Sequence, residues 1–348
     1  SDNREVKSMG VMSRETAGAL IEAAFAAADE HGAVSFAFQG GEPTVAGLDF
    51  FRDFVAMVSA FRPLDRQVSY ALQTNGMALN EEWTHFLKEN QFLVGLSVDG
   101  YRELHDHYRV DTKGEGTYGR VAKALALLQK FEVETNLLCV VTGQCAKHPQ
   151  KTYASMKKLG VRYLQFIPCL DPLEEQRGRA VYSLTPKLYG DFLCGLFDQW
   201  YRDWAEGHYT SVRLFDDYVH LAMGEPASTC AASGGCGSYF VVEADGGVYP
   251  CDFYVLDRWR MGDVHTDSLK QLANDETASE FLRQGRLRPS RCASCRWVPL
   301  CNGGCRRDWT GGADDTENYY CESFRRFFEY AADRIGEIAW QERRSRMR

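Results

Sequence analysis

Five short apolar runs, each closed by polar or glycine residues, restrict the fold of the first 170 residues more than any other feature. They are VSFAFQ (34–39), VSYALQ (68–73), FLVGLSV (92–98), VETNLLCVV (133–141) and VRYLQFI (161–167). Helical patterns separate them: from Ser13, an N-cap, to about Glu30, then over 48–60, 81–90, 118–130 and 149–159. Apolar, β-branched strands alternating with helices predict parallel βαβ units buried on both faces, an α/β fold. Ligands of such folds bind at the C-terminal edge of the strands. The site is therefore expected along Gln39–Glu42, Gln73–Gly76, Ser97–Gly100 and the segment after Ile167. Residues of these types also make ordinary βα turns; four polar strand ends on one edge favour a site.

After a polar connection beginning DPLEEQ at residue 171, a Trp- and Tyr-rich helix is expected over 186–205. From about residue 225 the βα periodicity stops and Gly- and Cys-rich text replaces it, followed by a last helix over about 322–343. A length of 348 residues suits two domains, here divided as 1–215 and 216–348. The formal charge of -8 argues against a duplex nucleic-acid partner. No apolar run reaches the roughly 18 residues of a membrane span. The N-terminus, SDNREVKSMG, has no signal-peptide character, so the expected address is cytoplasmic.

Twelve cysteines in a chain of this size point away from a secreted disulfide scaffold. Cys139, Cys145, Cys169 and Cys194 are scattered and read as small buried hydrophobes. The other eight lie in the last third. Asp245-Gly246 marks a tight hairpin that brings Cys236 and Cys251 together, and Cys230 sits on a Gly/Ser loop able to join them. Cys292, Cys295, Cys301, Cys305 and Cys321 follow; one of these five is surplus locally and can complete the first set. The C-x2-C spacing also suits zinc, but eight thiolates in two sets of four fit two Cys-ligated iron–sulfur clusters.

The run Cys236-x9-Gly246-x4-Cys251, Cys292-x2-Cys295-x5-Cys301-x3-Cys305 and then Cys321 resembles the SPASM domain of radical S-adenosylmethionine enzymes. More narrowly, AFQGGEPT, FLVGLS, NLLCVVT, VYPCDFYVLD and NYYC resemble the anaerobic sulfatase-maturating enzymes across essentially the whole chain. The resemblance implies a partial (β/α)6 TIM-like barrel whose first strand precedes residue 1, then a Cys-rich auxiliary-cluster domain and a C-terminal helix. It implies one [4Fe–4S] cluster on Cys230, Cys236, Cys251 and Cys305, and another on Cys292, Cys295, Cys301 and Cys321. Gly40, Gly41 and Glu42 of GGEP, Gln73 and Asn75 of LQTNG, Ser97, Leu170 and, less firmly, Arg109 would contact S-adenosylmethionine. The family's C-x3-C-x2-C, which holds the cluster that cleaves S-adenosylmethionine, does not occur in the 348 residues. The expectation is a chain lacking its N-terminal segment and a third cluster, and inactive by itself.

The implied reaction is oxidation of a Cys or Ser in a sulfatase, within a Cys/Ser-x-Pro/Ala-x-Arg motif, to Cα-formylglycine, with flavodoxin or ferredoxin as electron donor. Asp252, adjacent to Cys251, is the candidate base, and Gln39 the candidate substrate contact. A carboxylate here also suits a turn cap. His105 and His107 are read as exposed loop histidines without a role. Two alternatives make different predictions: a thioether-forming SPASM maturase would bind clusters but leave a sulfatase-type peptide unoxidised, and a zinc-stabilised peptide-binding module would hold no sulfide.

Overall fold

Parallel strands need a crossover between each pair, and the chain supplies one every time. The computed structural model describes residues 10–29, 32–62, 66–173, 176–237, 239–311 and 316–347. Six strands form one sheet in the order of the sequence: β1 (Val34–Phe38), β2 (Val68–Thr74), β3 (Phe92–Ser97), β4 (Thr135–Val141), β5 (Tyr163–Pro168) and β6 (Ser211–Val212). Val34 pairs in parallel with Val68, Tyr70 with Phe92, and Leu137 with Leu164. The five expected strands are present; β6 is a sixth, two residues long, too short to leave a run in the sequence.

Helix α1 (Arg14–Ala27) precedes β1, and the crossovers are α2 (Leu48–Phe61), α3 (Glu81–Glu89), α4 (Arg102–Tyr108), α5 (Tyr118–Lys130), α6 (Pro149–Lys157) and α7 (Pro186–Ala205). Local chemistry sets their starts. Ser13 Oγ accepts from Thr16 N at 3.0 Å, and Asn80 Oδ1 accepts from Trp83 N at 2.9 Å; each satisfies an otherwise orphaned helix N–H. α1 ends at Ala27, short of the expected Glu30, which lies outside the described residues.

The chain divides into two compact units whose segments interleave. The first comprises Ser1–Leu96, Arg120–Thr135 and Cys236–Gln284. Its Cys-rich part holds the expected hairpin, β7 (Val241–Val242) and β8 (Gly247–Tyr249), with β9 (Gly262–Asp263) added to β8. Gly246 takes φ +92°, and an added Cβ would lie 2.8 Å from Asp263 Oδ1, so the turn admits only glycine. Helix α1 serves two cores: Ala17 and Ile21 pack with Phe36, Phe54 and Val58, while Ala19, Leu20, Ala23 and Ala27 cover Val248, Met261 and Leu272. Small alanines on that second face allow close approach, which explains why residues distant in sequence share one unit.

The second unit comprises Ser97–Gly119, Asn136–Gly235 and Gly285–Arg348. Its core joins α7, α8 (Arg213–Ala222) and α13 (Cys321–Arg346), with α9 (Cys230–Ser233) and α12 (Val298–Cys301) packed on α8, while α10 (Leu269–Leu272) and most of α11 (Glu276–Arg286) belong to the first unit. Phe197, Phe215 and Phe327 are fully buried there, with Phe215 and Phe327 stacked at 5.5 Å. Gly190 lets α7 and α13 cross closely: its added Cβ would stand 3.2 Å from Ser323 Cα. The 215/216 division falls inside α8, whose Phe215 and Tyr218 are both buried.

Candidate functional site

Glycine opens the first strand end. Gly40 and Gly41 follow β1 with φ +89° and +50°, and nothing lies within 4 Å of a Cβ built on either. The backbone there is therefore bare and approachable. Glu42 is buttressed instead: its Oε1 accepts from Thr44 Oγ1 at 2.6 Å and Thr74 Oγ1 at 2.7 Å, and its Oε2 accepts from Asn75 N at 2.7 Å. The carboxylate thus ties the end of β1 to the end of β2 and fixes the shape of the glycine turn. Glu42→Gln puts an amide donor or a neutral oxygen against these donors. Charge-assisted bonds contribute about 1.5–3 kcal/mol each, so the variant is expected to unfold at a clearly lower urea midpoint than the wild type; an unchanged midpoint would contradict the buttress role.

Across from β1 in the same unit, Asp252 begins a 3-10 turn (Asp252–Tyr254) without capping it. Its Oδ2 accepts from Gln39 Nε2 at 3.0 Å and its Oδ1 from the Tyr239 hydroxyl at 2.7 Å. The Cys251 thiol lies 3.5 Å from the same Oδ1. The expected base, the expected substrate contact and an expected cluster ligand therefore meet, together with Tyr239, which the sequence reading missed. An aromatic residue beside an alternating apolar strand reads as core; its place three residues after Cys236 was the available signal.

In the second unit Ser97 ends β3 and is buried, and Leu170 stands half-buried two residues past β5. The Arg109 guanidinium is engaged by Asp99, Nε to Oδ2 at 2.6 Å and Nη2 to Oδ1 at 3.3 Å, while Asp99 Oδ1 also accepts from Val140 N at 2.9 Å. His105 is not an exposed loop histidine: it lies in α4 with no exposed surface. Its Nδ1 accepts from Asp99 N at 3.1 Å, so Nε2 carries the hydrogen toward Thr117 Oγ1 at 3.0 Å. Burial lowers its pKa to about 4 from the ordinary 6.5, the Asp99 charge opposing. The unfolded chain then binds more protons between pH 6.5 and 4, so stability falls as pH drops through that window. Urea midpoints at pH 7 and 5 are expected to show this fall in the wild type and a smaller one in His105→Gln. Equal pH dependence in both would refute it.

The cysteines occupy both units. Cys292, Cys295, Cys301 and Cys321 lie in the second, where burial makes the Cys292, Cys301 and Cys321 thiols resist ionisation. Burial pushes Cys301 up to about 12, and its neighbours Cys321, Cys292 and Cys295 add to the shift. Between Cys301 and Cys305 the backbone winds left-handed through Asn302, Gly303 and Gly304. Asn302 Nδ2 donates to Ala232 O at 2.8 Å, which seats this turn on α9, the helix that Cys230 opens. The Arg307 N–H points at Cys305 Sγ from 3.4 Å, the type of backbone contact that tunes a sulfur ligand. Cys236 and Cys251 belong to the first unit, where burial raises Cys251 to about 12. No disulfide forms among the twelve cysteines. Among the described residues no three His, Cys, Asp or Glu side chains close on one point as the ligands of a single ion would.

Comparisons with known proteins identify both cysteine-bearing and strand-bearing parts. Residues 7–156 match the Radical SAM superfamily, and residues 234–296 match the SPASM iron-sulfur cluster-binding domain. A cysteine-type anaerobic sulfatase-maturating enzyme of Clostridium perfringens (strain 13 / Type A) is 44% identical over 341 residues, covering 97% of this chain and 92% of its own. The chain belongs to the anaerobic sulfatase-maturating enzymes. A serine-type member from Bacteroides thetaiotaomicron is 30% identical, covering 86% of this chain and 76% of its own. The solved structure "Native anSMEcpe with bound AdoMet and Cp18Cys peptide" superposes with a TM-score of 0.94 at 42% identity, covering 98% and 94% of the two chains. Structures of Streptococcus suis SuiB, at 17% identity or less, share the fold.

A sulfatase-maturating enzyme is a radical S-adenosylmethionine oxidoreductase that uses [4Fe–4S] clusters and takes a peptide substrate, and this member is read accordingly. The residues fit both cofactors. Gly40 and Gly41 leave a bare backbone that a ligand can approach, and the undisulfided thiols of Cys301, Cys321, Cys292 and Cys295 lie near enough to act on one another, sulfur donors of the type that ligate a cluster. Among the described residues no helix is long and apolar enough to span a bilayer.

Proposed function

We infer that this enzyme oxidises a cysteine of a sulfatase polypeptide to Cα-formylglycine, with Asp252 accepting the substrate's proton. The observation that carries this reading is the Asp252 carboxylate, held on both oxygens by Gln39 and Tyr239 and adjacent in sequence to Cys251. Greater identity to cysteine-type relatives, 40–44% against 30%, favours cysteine over serine as the residue oxidised.

When bound, S-adenosylmethionine with its cluster would supply radical abstraction of a hydrogen atom at the substrate Cβ, and an auxiliary cluster would supply a one-electron acceptor. The chain's own residues handle the rest. Asp252 takes the thiol proton as the carbon–sulfur double bond forms, a base placed within reach of the proton it removes. Gln39 holds the second carboxylate oxygen and marks the peptide's approach from β1. Water then replaces sulfur at the thioaldehyde carbon, releasing hydrogen sulfide and leaving the aldehyde.

The proposed cluster ligands are Cys230, Cys236, Cys251 and Cys305 for one site and Cys292, Cys295, Cys301 and Cys321 for the other. The proposed S-adenosylmethionine contacts are the Gly40–Gly41 backbone, Gln73, Asn75, Ser97, Arg109 and Leu170, with Glu42 behind them. A cytoplasmic setting, a flavodoxin or ferredoxin donor and a Cys-x-Pro-x-Arg motif in the peptide complete the proposal, as does a barrel segment over 1–215 joined to a cluster segment over 216–348. The full-length protein, reduced with dithionite and given S-adenosylmethionine and such a peptide, is expected to yield a hydrazine-reactive aldehyde at the cysteine by mass spectrometry. Cleaved S-adenosylmethionine with an unmodified or thioether-linked peptide would overturn the reading.

A further inference from the structure

A carboxylate that must meet a substrate proton gains from having its plane fixed before the substrate arrives. Asp252 is anchored on one side by Gln39, from the end of β1, and on the other by Tyr239, from the segment leading into β7. The two donors reach different oxygens, which fixes rotation of the carboxylate as neither alone would. Tyr239 also stands 3.7 Å from Cys251 Sγ, so its single hydroxyl touches both the proposed proton acceptor and a proposed cluster ligand. The residue as a whole keeps 42% of its surface exposed. Filling the core does not account for a tyrosine at this position, and phenylalanine would preserve the packing it does make.

We propose that Tyr239 is the positioning residue of Asp252, orienting the carboxylate for removal of the substrate proton. The proposal rests on the formylglycine reading given above. Its consequence is a change in how radical events are divided. Without the hydroxyl, the substrate radical still forms, but its conversion to thioaldehyde slows and the radical reverts or is quenched. Each S-adenosylmethionine cleaved then yields less aldehyde.

The test is Tyr239→Phe in the full-length, anaerobically reconstituted protein. Iron content and thermal midpoint serve as controls and are expected to match the wild type. The expected result is about a tenfold fall in aldehyde formed per 5′-deoxyadenosine released, with little change in the KM for the peptide. The midpoint potential of an auxiliary cluster, followed by electron paramagnetic resonance during a redox titration, is expected to stay unchanged, which separates positioning of the carboxylate from damage to the cluster. An unchanged aldehyde ratio, or a fall that comes with a shifted potential, overturns the role of Tyr239 while leaving the proposed function intact. Failure of the wild type itself to make aldehyde, with both auxiliary clusters present, instead overturns the proposed function.

Discussion

Asp252→Asn in the full-length protein is expected to cleave S-adenosylmethionine while forming formylglycine on the order of 10²–10⁴-fold more slowly, the range attributable to one general base. The asparagine is nearly isosteric and can still accept from the Tyr239 hydroxyl on its carbonyl oxygen. It cannot accept a proton, however, and its amide would face the Gln39 amide, placing donor against donor where Gln39 Nε2 now gives a 3.0 Å bond to Oδ2. Hydrogen abstraction from the substrate precedes proton loss, so cleavage of S-adenosylmethionine and product formation separate. Chromatography of 5′-deoxyadenosine alongside mass spectrometry of the peptide measures both in one sample. Aldehyde within about threefold of wild type would remove Asp252 from the base role.

The second large effect is on metal content. Cys301→Ala is expected to lower iron from about eight to about four per chain after anaerobic reconstitution, with sulfide falling in step. Cys301 is suited to the test because it senses all three of its proposed partners, Cys321, Cys292 and Cys295. Burial keeps the unligated thiol protonated, so iron must displace its proton on binding, and a single missing ligand leaves three thiols around an incomplete site. Cys194→Ala, at a cysteine apart from both sets, is the control and is expected to keep about eight irons. Loss of no iron in Cys301→Ala would dissolve the proposed ligand set.

Much of the fold was legible because parallel strands flanked by helices must be apolar on both faces, and those runs stand out from their crossovers. Helices such as Tyr118–Lys130 and Pro186–Ala205 fall where their patterns placed them. The two-residue strand β6 could not be seen, since two residues carry no periodicity. Nor could the interleaving of the two units, which comes from the alanine face of α1 finding a second core formed by residues more than 200 positions away.

The site was legible in layers. GGEP, LQTNG and the cysteines announced themselves by type and spacing, but what Glu42 does depends on Thr74 and Asn75 arriving on the next strand. His105 was misjudged because HDHYR is polar text, whereas α4 turns that one imidazole inward onto Asp99 and Thr117. Asp252 was chosen for its sequence neighbour Cys251; its contact with Gln39, 213 residues earlier, exists only in three dimensions. Tyr239 had no sequence signature apart from its closeness to Cys236.

The iron, zinc and acid-labile sulfide content of the chain of residues 1–348 after anaerobic reconstitution tests the central claim most directly. About eight irons with matching sulfide are expected, two four-iron clusters on the eight distal cysteines. About two zincs without sulfide would make those cysteines structural and contradict the radical chemistry built on them.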